Sequence, residues 1–343
     1  MNGSQSSDKD RSALQRYLTP EISERLQTKK TCYGYTLEQL IRSGVENPDS
    51  SIGVYAGDEE SYETFALLLD PIIREYHHYD PVTGHHRSDL NPAHLRISNP
   101  DPEGTFILST RIRVARNLHC FPFGPAIARR ERLIVECLIA DTLRELTDEL
   151  AGRYYPLSGM DQATRQRLIR DHFLFKEGDR FLESAGLNRD WPEGRGIYHN
   201  DDKTFLVWVN EEDQLRIISM EPGGDIARVF TRLVRAVAEL EKRLTFAYSE
   251  RLGYLTSCPT NLGTAMRASV HIRLPRLSAD PERFRRICDR HHLQIRGVHG
   301  EHSESEGGIW DISNRRRLGI TEVEAVTEMA EGISALIEAE KAL

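Results

Sequence analysis

Residues 203–220, KTFLVWVNEEDQLRIISM, constrain the fold of this chain more than any other stretch. Two apolar runs, 203–210 and 215–220, read as strands joined by Glu211, Glu212, Asp213 and Gln214. In the first run Phe205, Val207 and Val209 alternate with Leu206 and Trp208, so neither face is polar. Such a strand suits a sheet covered on both faces.

Helical patterns that could supply the cover follow near 127–150, 226–244, 280–291 and 321–342. The last opens with a capping box, Thr321 to Glu324. A further strand is expected at 105–114, and a short one at 252–256. Upstream the pattern is helical with short loops. Helices are expected at 35–42 and 61–76, with Phe65, Leu68, Leu69 and Ile72 on one face of the second and Pro71 as its kink or break. Between them, 43–55 reads as a loop, long enough to be functional. The organisation is α+β. A disordered tail (1–12) precedes a small all-α N-terminal domain (13–80), a linker (81–104) and an α/β catalytic domain (105–343). No internal repeat is visible.

The chain has 343 residues, of which 39% are hydrophobic, enough for a sizeable core. Its net charge of −8 makes a nucleic-acid partner a poor expectation, although Lys and Arg number 45. Five cysteines (Cys32, Cys120, Cys137, Cys258, Cys288) form no CxxC pair, which argues against a disulfide framework or a zinc knuckle. The N-terminus is polar and no apolar run is long enough to span a membrane, so a cytoplasmic, reducing location is expected. P-loop and GxGxxG patterns are absent. The paired histidines at 77–78 and 85–86 read as solvated loop residues rather than metal ligands.

Three constellations carry chemistry. Arginines come first. Arg111 and Arg113 lie at i, i+2 on a strand and share a face. Arg216 is on the second hairpin strand, Arg267 follows a cysteine turn, and Arg296 sits at 293–297. Each alone reads as a surface residue, but five at strand ends or loop edges suit a triphosphate in a chain without a P-loop. The acidic hairpin turn is the second. Three adjacent acids repel one another, and such a cluster has a use if it faces Mg²⁺ or a guanidinium. The third is Cys258 in the polar turn Cys-Pro-Thr-Asn-Leu-Gly-Thr. A thiol in polar surroundings near cations is biased towards thiolate, and its direct reading is a nucleophile. A glycine-punctuated stretch, 297–308, reads as a lid that brings Glu301 to a substrate on closure.

Several long stretches carry a resemblance. They are STRIRVARN (109–117), YYPLSGM (154–160), DHFLFKEGDRFL (171–182), GRGIYHND (194–201), the hairpin itself, CPTNLGT (258–264), RASVHIRLP (267–275) and GEHSESEGG (300–308). In these the chain resembles the phosphagen (guanidino) kinases, and most closely the arginine kinases among them. The resemblance covers nearly the whole chain. It implies a small helical domain followed by an antiparallel sheet flanked by helices. It implies reversible transfer of the γ-phosphoryl group of MgATP to the guanidino group of free L-arginine, giving phosphoarginine and ADP, by a monomer or homodimer. ATP and ADP would be held by Arg111, Arg113, Arg216, Arg267 and Arg296, with His172 and His271 near the nucleotide. Glu212 and Glu301 would hold the guanidinium, with Cys258 against it. Ser50, Ser51, Ile52 and Tyr55 would receive the amino-acid end. No protein ligand to Mg²⁺ is implied, and Glu211 and Asp213 are expected near its bound waters. Two departures stand out: arginine kinases usually carry Ser-Gly-Val where this chain has Ser50, Ser51 and Ile52, and arginine where it has His299.

Overall fold

The computed structural model describes residues 11–171, 173–175, 179–297 and 307–343. The N-terminal part is a set of short helices: α1 (Ala13–Tyr17), α2 (Pro20–Leu26), α3 (Leu37–Glu46), α4 (Ser61–Thr64) and α5 (Ala66–His77). Ser12 and Thr36 close capping boxes with Gln15 and Gln39, satisfying amides that a short helix otherwise leaves open. The helix expected at 35–42 starts later and runs on through residues 43–46, which the sequence assigns to a loop. Gly44 ties this last stretch of the helix to the loop that follows. Its amide donates to the Gly53 carbonyl at 3.1 Å, and a Cβ there would lie 2.5 Å from that oxygen. The helix expected at 61–76 is divided, but at Phe65 (φ −108, ψ 22) rather than at Pro71, which stays inside α5. Phe65, Leu68, Leu69 and Ile72 are all fully buried.

The rest is built on a sheet. Its strands are β1 (Ile107–Arg116), β2 (Gly152–Pro156), β3 (Gly196–Asn200), β4 (Phe205–Val209) and β5 (Leu215–Pro222). A separate ribbon, β6 (Tyr248–Ser249) with β7 (Gly253–Tyr254), replaces the strand expected at 252–256. The sheet is completed by β8 (Met266–Arg273), β9 (Leu293–Arg296) and β10 (Ile309–Asn314). Among the described residues it has eight strands in the order β2-β3-β4-β5-β1-β8-β10-β9, and every neighbouring pair is antiparallel. The helices of this part are α6 (Arg129–Leu143), α7 (Gln162–Arg170), α8 (Arg180–Ser184), α9 (Ile226–Glu241), α10 (Pro275–Ser278), α11 (Pro281–Arg290) and α12 (Glu322–Lys341). α6 ends well short of the expected 150, where a 3-10 turn stands instead. The capping box of α12 is formed as the sequence reads.

Alternation along the strands divides the sheet into two unlike faces. Ile112, Val114, Val207, Val209, Ile217 and Val270 point into the main core, which α6, α9, α11 and α12 cover. On the other face Leu206 and Ile218 pack against Leu168 and Phe173. Arg111, Arg113, Arg216 and Arg267 share that second face by the same parity.

A second core lies across the boundary of the helical part. Leu40, Val54, Tyr62 and Leu69 pack together with Phe123, Leu255, Cys258 and Leu262. Residues 81–104 are also anchored: buried Glu322 accepts hydrogen bonds from the Ser88 hydroxyl and the Asp89 amide. His86 is buried there and accepts from the Gly319 amide, and burial lowers its pKa to about 4. His77 lies on α5 and donates from Nε2 to the Pro259 carbonyl at 2.8 Å. The reading of these two as solvated loop histidines is therefore corrected, because both sit where the helical part meets the sheet. Among the described residues no helix is long and apolar enough to cross a membrane.

Candidate active site

The acidic turn between β4 and β5 is held from below. Asp213 Oδ1 accepts from Asn117 Nδ2 at 2.8 Å and from the Ser257 amide at 2.7 Å. Gln214 donates its amide to Asn117 Oδ1 and accepts from the Leu118 amide. These bonds fix the turn to the end of β1 and to the residue before Cys258. They leave the two glutamates facing one guanidinium. Arg216 Nη1 lies 2.8 Å from Glu211 Oε2 and Nη2 lies 2.7 Å from Glu212 Oε2. The cation that the acidic turn faces is thus a side chain of the same hairpin.

Glu212 also receives Asn261 Nδ2 at 3.4 Å on its second oxygen. Burial raises the Glu212 pKa. Arg216 opposes that shift, while Asp213 and Glu211 add to it. The net direction is upward, which brings this carboxylate towards the range where it exchanges protons near neutrality. Arg216 is held more firmly protonated by the same acids, although its own burial works against this.

Cys258 is buried in the second core, and its sulfur lies 3.1 Å from the Thr260 hydroxyl. Burial, and then the charge of Glu212, push its thiol up to about 12. The bias towards thiolate expected from the sequence is therefore reversed. The cations counted from the sequence stand behind Glu212, and the nearer charge is negative. Tyr55 shares these surroundings. Its hydroxyl is raised by burial and by the charges of Cys258 and Glu212.

Beyond Glu212 the guanidinium groups gather. Arg113, Arg216 and Arg267 line one cleft with Asn261 and Arg317, over a floor of Ala115 and Ala265. Arg111 and Arg216 lie 5.7 and 5.4 Å from the ring centre of Trp208. Burial, then repulsion from neighbouring arginines, lowers the pKa of Arg111 and Arg113. A guanidinium remains charged in proteins even so. Arg267 is held by Asp311 at 2.6 Å. Asp311 stands opposite His271 on one neighbouring strand and Arg296 on the other. Nε of Arg111, Arg267 and Arg317 and one oxygen each of Asp213 and Asp311 are buried without a partner. Such atoms cost about 1–3 kcal/mol each, and a ligand in the cleft could complete the bonding of those that face it.

The loop 50–55 reaches the cysteine turn through its end. The Ala56 amide donates to the Ser257 carbonyl at 2.7 Å, and the Tyr35 hydroxyl donates to the Tyr55 carbonyl. Ser50 accepts from the Gly53 amide, Ser51 is exposed and Ile52 is buried in the second core. His172, His299 and Glu301 lie outside the described residues. Arg317, Asp311 and Asn261 are the site residues that sequence reasoning missed. Asn261 was within reach, since it lies in the cysteine turn. Arg317 had no signal, being the third of three consecutive arginines. Among the described residues no group of three or more His, Cys, Asp or Glu side chains is arranged to hold a metal ion.

A buried carboxylate beside a cleft of arginines is an arrangement that transfer of a phosphoryl group to a guanidine would need. Residues 134–343 match the C-terminal catalytic domain of ATP:guanido phosphotransferases, and residues 8–74 match their N-terminal domain. The chain belongs to the ATP:guanido phosphotransferase family and is a phosphotransferase. It is 53% identical over 332 residues to arginine kinase Lit v 2 of Penaeus vannamei, covering 96% of this chain and 93% of that one. It is 58% identical over 334 residues to an arginine kinase of Anthopleura japonica, covering 96% of this chain but only 47% of the relative, so it spans about half that protein's length. Among solved structures it resembles lombricine kinase (TM-score 0.92, 39% identity, 96% and 92% of the two chains). It also resembles the duplicated taurocyamine kinase of Schistosoma mansoni (TM-score 0.91, 43% identity, 98% and 48%).

Proposed function

We propose that this chain is an arginine kinase, moving the γ-phosphoryl group of MgATP reversibly onto a guanidino nitrogen of free L-arginine in a cytoplasmic, ATP-buffering role. The observation that carries the reading is the Glu212–Arg216 pair. It makes a proton-accepting carboxylate and a phosphate-binding cleft share one boundary. The named arginine kinases at 52–58% identity support arginine as the guanidine.

The guanidinium nitrogen attacks the γ-phosphorus in line. An N–P bond forms, the bond from the γ-phosphorus to the β,γ-bridging oxygen breaks, and the electron pair leaves with ADP. The nitrogen's proton goes to Glu212. Glu301, outside the described residues, would by the family resemblance align the same guanidinium. Transfer of this kind is mostly positioning and charge neutralisation. Arg111, Arg113, Arg216, Arg267 and Arg296 neutralise the phosphates, with Arg317 added from the cleft, and His172 and His271 flank the nucleotide. Mg²⁺ enters with the substrate, on phosphate oxygens and water. Glu211 is engaged by Arg216, and Asp213 holds the Ser257 amide, so we assign Asp213 to positioning the turn. Cys258 acts as a wall against the guanidinium and forms no bond to phosphorus. An arriving cation would offset the field of Glu212 and ease the thiol towards thiolate.

Free arginine is favoured over arginine within proteins because Tyr55 stands beside Glu212 and Cys258 at the end of a loop that is tied down at Ser257. Ser50, Ser51 and Ile52 belong to the same loop and would meet the amino-acid end. Phosphorus NMR of MgATP with arginine, taurocyamine, lombricine and an unfolded protein tests the reading. An N–P product with free arginine is expected. Product only from the unfolded protein, or only from another guanidine, would overturn it.

A further inference from the structure

A second cluster of arginines lies on the opposite face of the sheet from the site just described. α11 is opened by Pro281 and capped by Asp280, which accepts from the Arg283 amide. Its Phe284 and Cys288 are buried, which fixes the helix's rotation. Arg283, Arg286 and Arg290 then fall at i, i+3 and i+7 along one wall of a cleft of about 430 Å³ between α11 and α12. None of the three makes an ion pair with another described residue. His291 lies at the end of this wall. α12 supplies a floor of small side chains, Ala335, Ala339 and Ala342, with Glu338 as the one carboxylate. The cleft narrows at the His291 end because α12 comes close there: a Cβ on Gly332 would lie 2.8 Å from the His291 Cβ.

We propose that this cleft is a second anion site, which takes a linear di- or triphosphate chain. Three guanidinium groups spread over two helical turns, about 10 Å, match a phosphate chain better than a single phosphate. The volume is that of a small-molecule pocket, which runs from roughly 300 to 1,000 Å³. A long polyanion is disfavoured, because the whole chain carries −8 and Glu338 interrupts the basic strip. The ligand chemistry named is the phosphate chain, whether a nucleotide or inorganic tripolyphosphate carries it. The cleft is separated from the cleft of Arg113, Arg216 and Arg267 by the sheet and its main core.

The test is calorimetric titration of the full chain with ADP and, separately, with inorganic tripolyphosphate. Two molar equivalents are expected for at least one of them. The variant R283Q/R286Q/R290Q should retain only one, with kcat for arginine phosphorylation unchanged, which also reports that it is folded. The single variants R286Q and R290Q should each weaken the second equivalent by about tenfold. A second equivalent with tripolyphosphate assigns the site to the phosphate chain alone; one with ADP only assigns it to the nucleotide form of that chain. A single equivalent for both ligands in the wild type, or a second equivalent of unchanged affinity in the variants, would overturn the proposal.

Discussion

Glu212 and Arg216 form a 2.7 Å ion pair within the hairpin that carries them, with side chains only 16% and 10% exposed. The carboxylate is therefore oriented before any substrate arrives, and the guanidinium beside it is one wall of the arginine cleft. In the proposed reaction this pair would couple the place where a proton leaves to the place where phosphate charge is neutralised.

Replacing Glu212 by Gln keeps the shape but removes the proton acceptor. The expected result is a loss in kcat of about a hundredfold to ten-thousandfold, as for other general bases. Nucleotide affinity should change far less, because Arg216 keeps Glu211 as a partner at 2.8 Å. Steady-state kinetics beside equilibrium ADP binding measures both. Equal losses in the two would make Glu212 a binding residue.

The pH profile follows from the same site. Burial holds the Glu212 pKa above its ordinary value of 4.5. The base is lost as pH falls through the raised value, so the acid limb of kcat/KM should lie clearly above pH 4.5. In the E212Q variant that limb should vanish. A wild-type limb at or below the ordinary value would assign it to another group.

Cys258 should behave as a wall rather than a nucleophile. C258A is expected to keep slow turnover with sequential kinetics and no phosphorylated enzyme. Because burial and Glu212 hold the thiol neutral, alkylation of the substrate-free wild type should keep accelerating above pH 9.0, the ordinary thiol value. Alkylation that is fast and flat through neutral pH would show a thiolate already present. Ping-pong kinetics would sink the direct-transfer mechanism.

Gly44 and Gly53 hold the loop 50–55 in place by backbone contact. A methyl on Gly44 would meet the Gly53 carbonyl oxygen at 2.5 Å and its Cα at 2.6 Å, neither of which is a side chain that can turn away. G44A should cost about 1–3 kcal/mol in urea unfolding, the usual range for overpacking. It should also raise the KM for arginine more than that for ATP. An equal rise in both would separate this loop from the choice of guanidine.

Among the described residues three of the sheet's eight strands, β1, β4 and β5, were legible in the sequence. β4 is apolar on both faces because the sheet is covered on both there, and β5 shows its strand through Leu215, Ile217 and Ile218 although Arg216 interrupts the second face. β2, β3, β8, β9 and β10 were not read as strands: Gly152, Arg153 and Pro156 in β2 and Gly196, His199 and Asn200 in β3 dilute the signal of the tyrosines beside them, and these two strands are fixed by the ladder β2-β3-β4. Thr321 and Ser12 cap helices by contacts three residues long, and only the first was read. Pro71 was a fair place to expect a break, yet the fully buried ring of Phe65 decided where the helix divides.

Residue types and their order along the chain determined the family and the groups it has available: a set of arginines, an acidic turn and a thiol in a polar turn. Tertiary structure decided which of those side chains meet, and in what state. Arg315, Arg316 and Arg317 are equivalent as sequence. Arg315 pairs with Asp289 and Arg316 with Glu328, both towards solvent, whereas Arg317 turns under the cysteine loop to Thr260 and Asn261. Cys258 was visible as a site residue, but its protonation depended on depth and on Glu212. Both outcomes rest on burial and on charges distant in sequence, which no local pattern records.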